Sequence, residues 1–380
     1  VTGVGFSALG RDTGLSEGRL AVDACRAALA DAGLEAGDID GLAMFPYRST
    51  PPSAFSGPGL SLVQRSLGIQ HLRWWQSTTA DNGQLGVALN IVDALSAGRC
   101  RHVLCYRAHL RQQRRYLGGG HDPSQAYDED EHTIPFGGGS GAARGALWAA
   151  RYMATYGVTQ EQLGSVNVNG RAYAVGNPLA VWRTATSIEE YLDSRWICPP
   201  LKVLDCDYPI DGATAIVFSR TDAARDTRKP VYVESGGTGP GPSTGWLPWS
   251  DKSEMAARYA GEAMWEHTHL GPSDVDVAEV YDGFSFFTLM WLEGLSLVEV
   301  GRAGPWMASG GGRPDSPLPV NTDGGQLGVG RLHGFGKVVQ AVRQLRGEAP
   351  NQLPDPEVAV ASAGGGPGCA CLLLTREPAA

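Results

Sequence analysis

The chain has 380 residues, of which 42% are hydrophobic and 19% are charged, and its formal net charge is −9. This length suits two core-bearing units of ordinary domain size, and the composition excludes a disordered chain. The net negative charge and the lack of a long basic run in the sequence argue against a nucleic acid partner. One basic cluster at 107–115 indicates either a solvated surface face or a contact for a phosphate-bearing ligand.

The seven cysteines are odd in number and include no Cys-x-x-Cys pair, which is unlike a secreted disulfide framework. We therefore expect reduced, mostly buried thiols in a cytoplasmic protein. No signal peptide pattern opens the sequence, and no apolar run approaches membrane-spanning length. His267 and His269 lack a set of ligands that would complete a metal site, and no nucleotide-binding motif follows a strand, so neither a metal nor a cofactor is expected.

The first part of the chain alternates strand and helix patterns. Strands are predicted at 1–9, 41–45, 72–77, 102–106 and 213–219, and helices at 15–32, 61–67 and 82–97. The stretch 118–196 breaks this rhythm with glycines, an acidic run and helices near 141–156 and 159–171. We interpret the region around 107–200 either as an inserted lid over a pocket or as a surface elaboration.

The second part repeats the alternation after a linker pattern at 228–230. Strands are predicted at 231–235, 275–281, 357–361 and 369–375, and helices at 254–266, at 283–292 and from 337 onward. Alternating strands and helices predict an α/β fold in which helices cover the sheets. We divide the chain into halves at 1–228 and 229–380.

Two echoes support this division. The heptapeptide DNGQLGV at 81–87 returns as DGGQLGV at 323–329, with six of seven residues identical. An acidic pattern at 38–42, which follows a helix, returns at 274–278. Solenoid repeats recur every few tens of residues, whereas these offsets exceed two hundred, so the pattern indicates an internal duplication.

The second copy of the heptapeptide lies within a glycine-rich stretch, NTDGGQLGVGRLHGFG at 321–336, and a helix pattern follows that stretch. Glycines allow positive φ angles and close approach of a ligand, and backbone N–H groups at a helix start attract anions. This stretch is therefore the first candidate for a functional site.

These motifs resemble those of the thiolase superfamily over essentially the whole chain. The resemblance implies two similar halves in a five-layer αβαβα arrangement. The superfamily's nucleophilic cysteine corresponds to Ala80 here, and its last Cys-x-Gly motif corresponds to Ser362-Ala363-Gly364. Because alanine cannot be acylated and a serine is a poor substitute for a thiolate, ordinary acyl transfer through a cysteine thioester is not expected.

Two further motifs are similar to the lipid-transfer-protein branch, and in particular to the Ltp2-type aldolases of steroid side-chain degradation. They are Tyr281-Asp282-Gly283-Phe284 and the loop at 330–336 that reads GRLHGFG. The resemblance implies retro-aldol cleavage of a β-hydroxyacyl-CoA to a steroid ketone and propionyl-CoA. It also implies a partner of the DUF35 type, an OB-fold protein with a zinc-ribbon-like piece, and a homodimer that pairs through the first-half sheets.

Retro-aldol chemistry needs a base for the β-hydroxyl proton, a stabiliser for the thioester enolate and an acid to protonate it. Tyr281 is the first candidate base, provided that Arg331 or His333 lowers its pKa; otherwise it is a buried tyrosine bonded to backbone. His333 could be the base or could polarise the thioester oxygen. Asp282 could orient one of these groups, or cap a helix.

Arg331 is predicted to bind substrate. Gly364, Gly365 and Gly366 could offer backbone N–H groups to the thioester oxygen, or could form a tight turn between strands. Two other functions remain open from the sequence. One is a non-catalytic acyl-CoA-binding subunit with a degenerate site, and the other is an acyltransferase that works without cysteine.

Overall fold

The structure is a computed structural model that describes residues 1–45, 59–78, 83–111, 131–224, 227, 229–239 and 241–378. Ala80, the two arginines at 114 and 115 and the acidic residues at 128–130 lie outside these ranges. The strands are β1 (Gly3–Phe6), β2 (Gly41–Met44), β3 (Trp74–Ser77), β4 (His102–His109), β5 (Trp196–Cys198), β6 (Leu201–Lys202), β7 (Gly212–Ser219), β8 (Tyr232–Thr238), β9 (Val277–Glu279), β10 (Val358–Gly365) and β11 (Gly368–Thr375).

The helices alternate with these strands. They are α1 (Glu17–Ala32), α2 (Leu60–Leu67), α3 (Gly83–Ser96), α4 (Gly141–Tyr156), α5 (Gln160–Gly176), α6 (Ile188–Asp193), α7 (Thr221–Ala224), α8 (Ala257–Trp265), α9 (Ser285–Gly294), α10 (Ala303–Ala308), α11 (Gly325–Gly328) and α12 (Phe335–Arg346).

The two larger sheets share one strand order, as expected for a duplicated fold. The first runs β1-β7-β4-β2-β3, with β7 antiparallel to β1 and β4, and with β2 parallel to β3 and β4. The second runs β8-β11-β10-β9, and a parallel bridge from Ala278 to Val320 extends it beyond β9. Position by position, β8, β11, β10 and β9 occupy the places of β1, β7, β4 and β2.

Helices cover and separate the two sheets. Helix α1 packs on the outer face of the first sheet, and α8 packs on the outer face of the second. Helices α3 and α12 lie between the sheets, where their apolar side chains join residues from both sheets in one core cluster. The order helix, sheet, helix, sheet, helix confirms the predicted five-layer thiolase-like fold. The boundary at 228/229 and the lid around 107–200 stay predictions.

Two glycines in β1 show how close the outer layer packs. A Cβ atom at Gly3 would lie 2.2 Å from the carbonyl oxygen of Ala28, and one at Gly5 would lie 2.5 Å from the amide nitrogen of Ala28. Any side chain at either position would push α1 away from the first sheet, because interiors of proteins are close-packed.

The repeated heptapeptide has two different structural outcomes. In the first half, residues from Gly83 continue as the single long helix α3. In the second half, the same residues form only the one-turn helix α11, and the chain leaves the helical path before α12 begins. The residues inserted between α11 and α12 carry the GRLHG sequence. The second copy of the helix is therefore interrupted by the candidate functional loop.

The predicted elements are present, with shifted ends. Strand β4 continues three residues past the predicted end at 106. It buries Arg107 and His109, which belong to the cluster at 107–115 that we interpreted as a solvated face or a phosphate contact. Strand β9 is shorter than predicted and ends at Glu279, so that Tyr281 lies in the turn before α9.

Candidate active site

Tyr281 and His333, predicted separately from two motifs, meet in the structure. The Tyr281 hydroxyl oxygen lies 3.4 Å from Nδ1 of His333, and the two rings are roughly parallel with centroids 6.5 Å apart. The backbone amide of Tyr281 donates a hydrogen bond of 3.0 Å to the Ser362 hydroxyl. The serine that replaces the superfamily's second cysteine thus holds the turn that carries Tyr281.

Burial controls the proton of Tyr281. Desolvation raises the pKa of its hydroxyl, the charge of Asp207 raises it further, and Arg107 and a hydrogen bond from Gln326 only partly oppose this. The expectation that Arg331 lowers this pKa is wrong, because the Arg331 guanidinium is paired with Asp207. Tyr281 therefore keeps its proton at neutral pH and is suited to donate it.

His333 is held in a strained backbone conformation. Its φ angle is +60°, which is uncommon for a residue with a side chain. Its backbone amide donates a hydrogen bond of 2.7 Å to Oε1 of Gln326. Such strain persists only where surrounding contacts enforce it, and it is frequent at functional sites. Here the strained backbone points the imidazole toward Tyr281.

Asp282 forms a buried ion pair, with Oδ1 2.7 Å from Nζ of Lys337 on α12, and both side chains are 2% exposed. It does not cap α9, whose first residue is Ser285 and whose N-cap position has no side-chain hydrogen bond. Gly325 lies against the Asp282 carboxylate: a Cβ there would come within 2.0 Å of Oδ2, and its φ is +64°. Asp282 thus fixes α11 and α12 next to Tyr281, and its catalytic role stays a prediction.

Arg331 is placed in the wall of the site by two contacts. Its Nε donates to Oδ1 of Asp207 at 2.7 Å, and its backbone amide donates to the carbonyl of Tyr208 at 2.7 Å. The side chain is 10% exposed and its charge is balanced inside the fold. The substrate-binding role of Arg331 stays a prediction.

Gly364, Gly365 and Gly366 belong to the tight hairpin between β10 and β11. Gly365 pairs with Gly368, and Gly364 and Gly366 have φ angles of 91° and 64°. The Gly364 carbonyl accepts a hydrogen bond of 2.9 Å from Nε1 of Trp291. The turn alternative therefore describes their structure, and a role for their N–H groups at a thioester oxygen stays a prediction.

Two glutamines, not predicted from the sequence, hold the loop before α12. Gln84 and Gln326 occupy the same position in the two heptapeptide copies. Oε1 of Gln84 accepts from the amide of Phe335 at 2.9 Å, while Oε1 of Gln326 accepts from the amide of His333. Nε2 of Gln84 is buried and has no hydrogen-bond partner within the described part of the chain. The repeat itself was the signal that could have identified them.

His109, at the end of β4, is a second missed residue. It lies edge-on to His333, with ring centroids 6.1 Å apart, and its Nδ1 donates to the carbonyl of Ile210 at 2.8 Å. Burial lowers the pKa of its imidazole to about 4, so the ring is neutral at physiological pH. No sequence pattern marked it, because a buried histidine within a strand resembles a core residue.

The cysteines offer no reactive thiolate near this pair. Burial raises the thiol pKa of six of them, and all seven are unpaired. Among the described residues, no cluster of three or more histidine, cysteine or acidic side chains could hold a metal ion. None of the helices described is both long and apolar enough to cross a bilayer.

Comparison with known structures first defines the class of protein. Human mitochondrial 3-ketoacyl-CoA thiolase superposes with a TM-score of 0.70 at 15% identity, covering 99% of this chain and 98% of that one. Residues 247–373 match the family described as Thiolase C-terminal domain-like. The chain therefore has the thiolase fold.

Full-length relatives define the family more closely. A 17-hydroxy-3-oxo-4-pregnene-20-carboxyl-CoA lyase of Mycobacterium tuberculosis is 32% identical, covering 98% of each chain. A steroid side-chain-cleaving aldolase of Thermomonospora curvata is 33% identical, covering 99% of this chain and 97% of its own. The solved Ltp2-ChsH2(DUF35) aldolase superposes with a TM-score of 0.88 at 32% identity, covering 98% of this chain and 96% of that one. The chain belongs to this aldolase family within the thiolase superfamily.

Proposed function

We propose that the protein is a carbon–carbon lyase that cleaves the steroid side chain of a β-hydroxyacyl-CoA by a retro-aldol step, releasing a ketone and propionyl-CoA. The observation that carries this proposal is the Tyr281–His333 pair, in a thiolase fold whose sequence has alanine at position 80. The lyase and aldolase named above act on CoA-linked or steroid side chains, which supports the same substrate class here.

The proposed step moves two protons. A base removes the β-hydroxyl proton, the bond between Cα and Cβ breaks, and its electron pair forms the thioester enolate. An acid then delivers a proton to Cα. Tyr281 is suited to be this acid because burial keeps its hydroxyl protonated. His333, 3.4 Å away, is suited to accept the hydroxyl proton and to return a proton to the phenol.

We infer that the enzyme works with a DUF35-type partner, since the solved Ltp2-ChsH2(DUF35) aldolase is similar over nearly the whole chain. We also infer a homodimer. Strand β3 is the edge of the first sheet, and Trp75 on it is 66% exposed. An exposed edge strand with a large aromatic side chain is a natural self-pairing surface. The unpaired cysteines support a cytoplasmic location.

The test is direct. The purified chain, alone and with its DUF35 partner, is mixed with a steroid β-hydroxyacyl-CoA, and propionyl-CoA and ketone are measured by mass spectrometry. Equal amounts of both products are expected. Binding without turnover in every combination would favour the non-catalytic subunit, and transfer of the acyl group to a second substrate would favour the acyltransferase.

A further inference from the structure

The retro-aldol step that we propose needs a group to stabilise the thioester enolate, in addition to an acid and a base. Tyr281 and His333 are suited to move the protons, and the guanidinium of Arg331 is paired with Asp207. As the bond between Cα and Cβ breaks, negative charge develops on the thioester oxygen. A fixed hydrogen-bond donor at such an oxygen is usually one of the largest contributions to the rate. A buried donor beside the loop before α12 is therefore a candidate for this task.

Gln84 offers such a donor. It is the second residue of α3 and is 3% exposed, and its Oε1 accepts from the backbone amide of Phe335 at 2.9 Å. Because a backbone N–H only donates, the side-chain atom that faces it must be the oxygen, which fixes the orientation of the whole amide. Nε2 then remains buried without an acceptor among the residues described. Buried donors normally have a partner, so we expect a ligand at this one.

The internal duplication supports this interpretation. Gln326 occupies the same position in the second heptapeptide, and its Oε1 accepts from the backbone amide of His333 at 2.7 Å. Its side chain also donates a hydrogen bond to the Tyr281 hydroxyl. Gln84 uses its own oxygen in the same way, two residues further along the same loop. The two glutamines therefore differ in the second partner, which Gln326 finds in the protein and Gln84 lacks within the described residues.

Gln84 lies close to the reactive pair. Phe335 is two residues after His333, so their Cα atoms are at most about 7 Å apart. A Cβ atom at Gly334, between them, would lie 3.7 Å from Cβ of Gln84 and 2.1 Å from Cβ of Ala363. The absence of a side chain at Gly334 thus allows the loop to pack against the residue that carries the donor.

His109 does not meet the same requirement. Its Nδ1 donates to the carbonyl of Ile210 at 2.8 Å, and burial lowers the pKa of the imidazole to about 4. The ring is therefore neutral at physiological pH, and its Nε2 is an acceptor. An acceptor repels the oxygen of an enolate, whereas the amide of Gln84 attracts it.

We propose that Nε2 of Gln84 donates a hydrogen bond to the thioester oxygen of the substrate and stabilises the enolate that forms as the carbon–carbon bond breaks. Gln84 is then a catalytic residue, in addition to its contact with the loop. This inference rests on the proposed function, because that reaction supplies the enolate. A purely structural role, in which Gln84 only holds the amide of Phe335, is the alternative that the experiment separates.

Two substitutions distinguish the donor from the acceptor of this side chain. Gln84→Glu, assayed at pH 8, keeps an oxygen for the Phe335 amide but loses the donor, whereas Gln84→Met loses both. We expect kcat to fall about 100- to 1,000-fold in both variants, with little change in KM, as for loss of a donor to an oxyanion. A kcat near that of wild type in Gln84→Glu, with a loss only in Gln84→Met, would overturn the proposal in favour of the structural role.

Gln352→Glu is the matched control. Oε1 of Gln352 also accepts from a backbone amide, that of Ala349 at 2.9 Å, but it lies beyond the C-terminal end of α12. The 12 residues of this helix span about 18 Å, so the change is far from the loop. Its kcat and KM should match those of wild type.

Infrared spectroscopy measures the hydrogen bond without turnover. The ligand is a CoA thioester that lacks the β-hydroxyl and carries 13C at the carbonyl, and it is added at saturation with the DUF35 partner present. A donated hydrogen bond weakens the C=O bond, so the stretching frequency should be lower in wild type than in Gln84→Met. Equal frequencies would overturn the proposal. If wild type cleaves no β-hydroxyacyl-CoA, the proposed function fails, whereas the carbonyl frequency still tests the donor because it requires only binding.

Discussion

At the scale of single residues, the environment of Tyr281 decides what its hydroxyl can do. A phenol with a lowered pKa could act as a base, but burial and the charge of Asp207 raise the pKa of the Tyr281 hydroxyl. The imidazole of His333 then supplies the basic partner within 3.4 Å. The division between an acid and a base thus arises from two adjacent groups in different surroundings.

Replacing Tyr281 with phenylalanine tests this division. Tyr281→Phe should lower kcat about 100-fold or more with little change in KM, because it removes the acid and leaves the ring in place. Steady-state release of propionyl-CoA is the measurement. Tyr173→Phe is the matched control, since this buried hydroxyl donates to the Gly312 carbonyl away from the pair. An unchanged kcat in Tyr281→Phe would remove the proposed role.

A buried glutamate gives a pH prediction. Burial and the charge of Asp323 raise the pKa of Glu279 from 4.5 to about 8, against the opposing effect of Lys337. Between these two pKa values, the folded state holds a proton on Glu279 that the unfolded state releases. The free energy of unfolding should therefore fall as the pH rises from 4.5 to about 8. The slope is at most about 1.4 kcal/mol per pH unit.

Denaturant unfolding at several pH values measures this slope. Glu279→Gln should flatten it, because the amide keeps the shape of the carboxyl that accepts from the Thr322 hydroxyl but does not titrate. Glu299→Gln, which changes an exposed carboxylate, should leave the slope as in wild type. Stability that rises with pH in wild type but not in Glu279→Gln would contradict the assignment.

The sequence was informative about some site residues and silent about others. Tyr281 and His333 were identified from motifs, and the structure brings them together. The pairing of Asp282 with Lys337 could not be predicted, because it joins residues 55 positions apart through the packing of α12. The expected lowering of the Tyr281 pKa was wrong, because burial of its hydroxyl and the charge of Asp207 raise this pKa, and no local sequence pattern encodes either effect.

At the scale of elements, the interruption between α11 and α12 creates the site. In the first half the same heptapeptide starts one unbroken helix, whereas in the second half the GRLHG residues leave the helical path. Gln84 and Gln326, one from each copy of the heptapeptide, hold this loop by accepting hydrogen bonds from the backbone amides of Phe335 and His333. The helix predicted from 337 onward was correct in type, but the sequence analysis did not predict the one-turn helix α11 before it.

The ion pair between Lys337 and Asp282 fixes the start of α12. Lys337→Met should destabilise the protein by about 3–5 kcal/mol, because it leaves a buried carboxylate without its partner. The double variant Lys337→Met/Asp282→Asn should recover most of this loss. Chemical denaturation provides the free energies of unfolding for all three proteins.

An exposed ion pair serves as the comparison. Arg258→Met removes the surface pairing with Glu262 and should cost less than about 1 kcal/mol. If Lys337→Met costs no more than Arg258→Met, the buried pair does not fix α12 in the way we describe.

At the scale of the whole molecule, duplication explains both the layers and the dimer that we propose. The two sheets share one strand order, which the two sequence echoes had indicated. The ends of β4 and β9 were less predictable, because polar residues buried by neighbouring layers do not follow the periodicity of an isolated strand. Among the described residues, β3 is the edge strand of the first sheet, which a second copy could extend.

Changing the exposed aromatic residue on that edge tests the dimer. Trp75→Lys should shift the protein from dimer to monomer, because a charge on the edge strand β3 is repelled by the same charge on the symmetric copy. Analytical ultracentrifugation measures the mass. Trp196→Lys, on the separate β5–β6 sheet, removes an aromatic residue that is 48% exposed and should leave the mass unchanged. A wild-type monomer would contradict the dimer outright.

The burial of the thiols has a consequence for the conditions in which the protein can work. Thiolases that depend on a cysteine thiolate are inactivated by peroxides and by alkylating reagents, because these react with the same sulfur. Here alanine stands at the reactive position in the sequence, and the buried thiols are held protonated. The cleavage step that we propose should therefore be less sensitive to these reagents than acyl transfer through a cysteine thiolate.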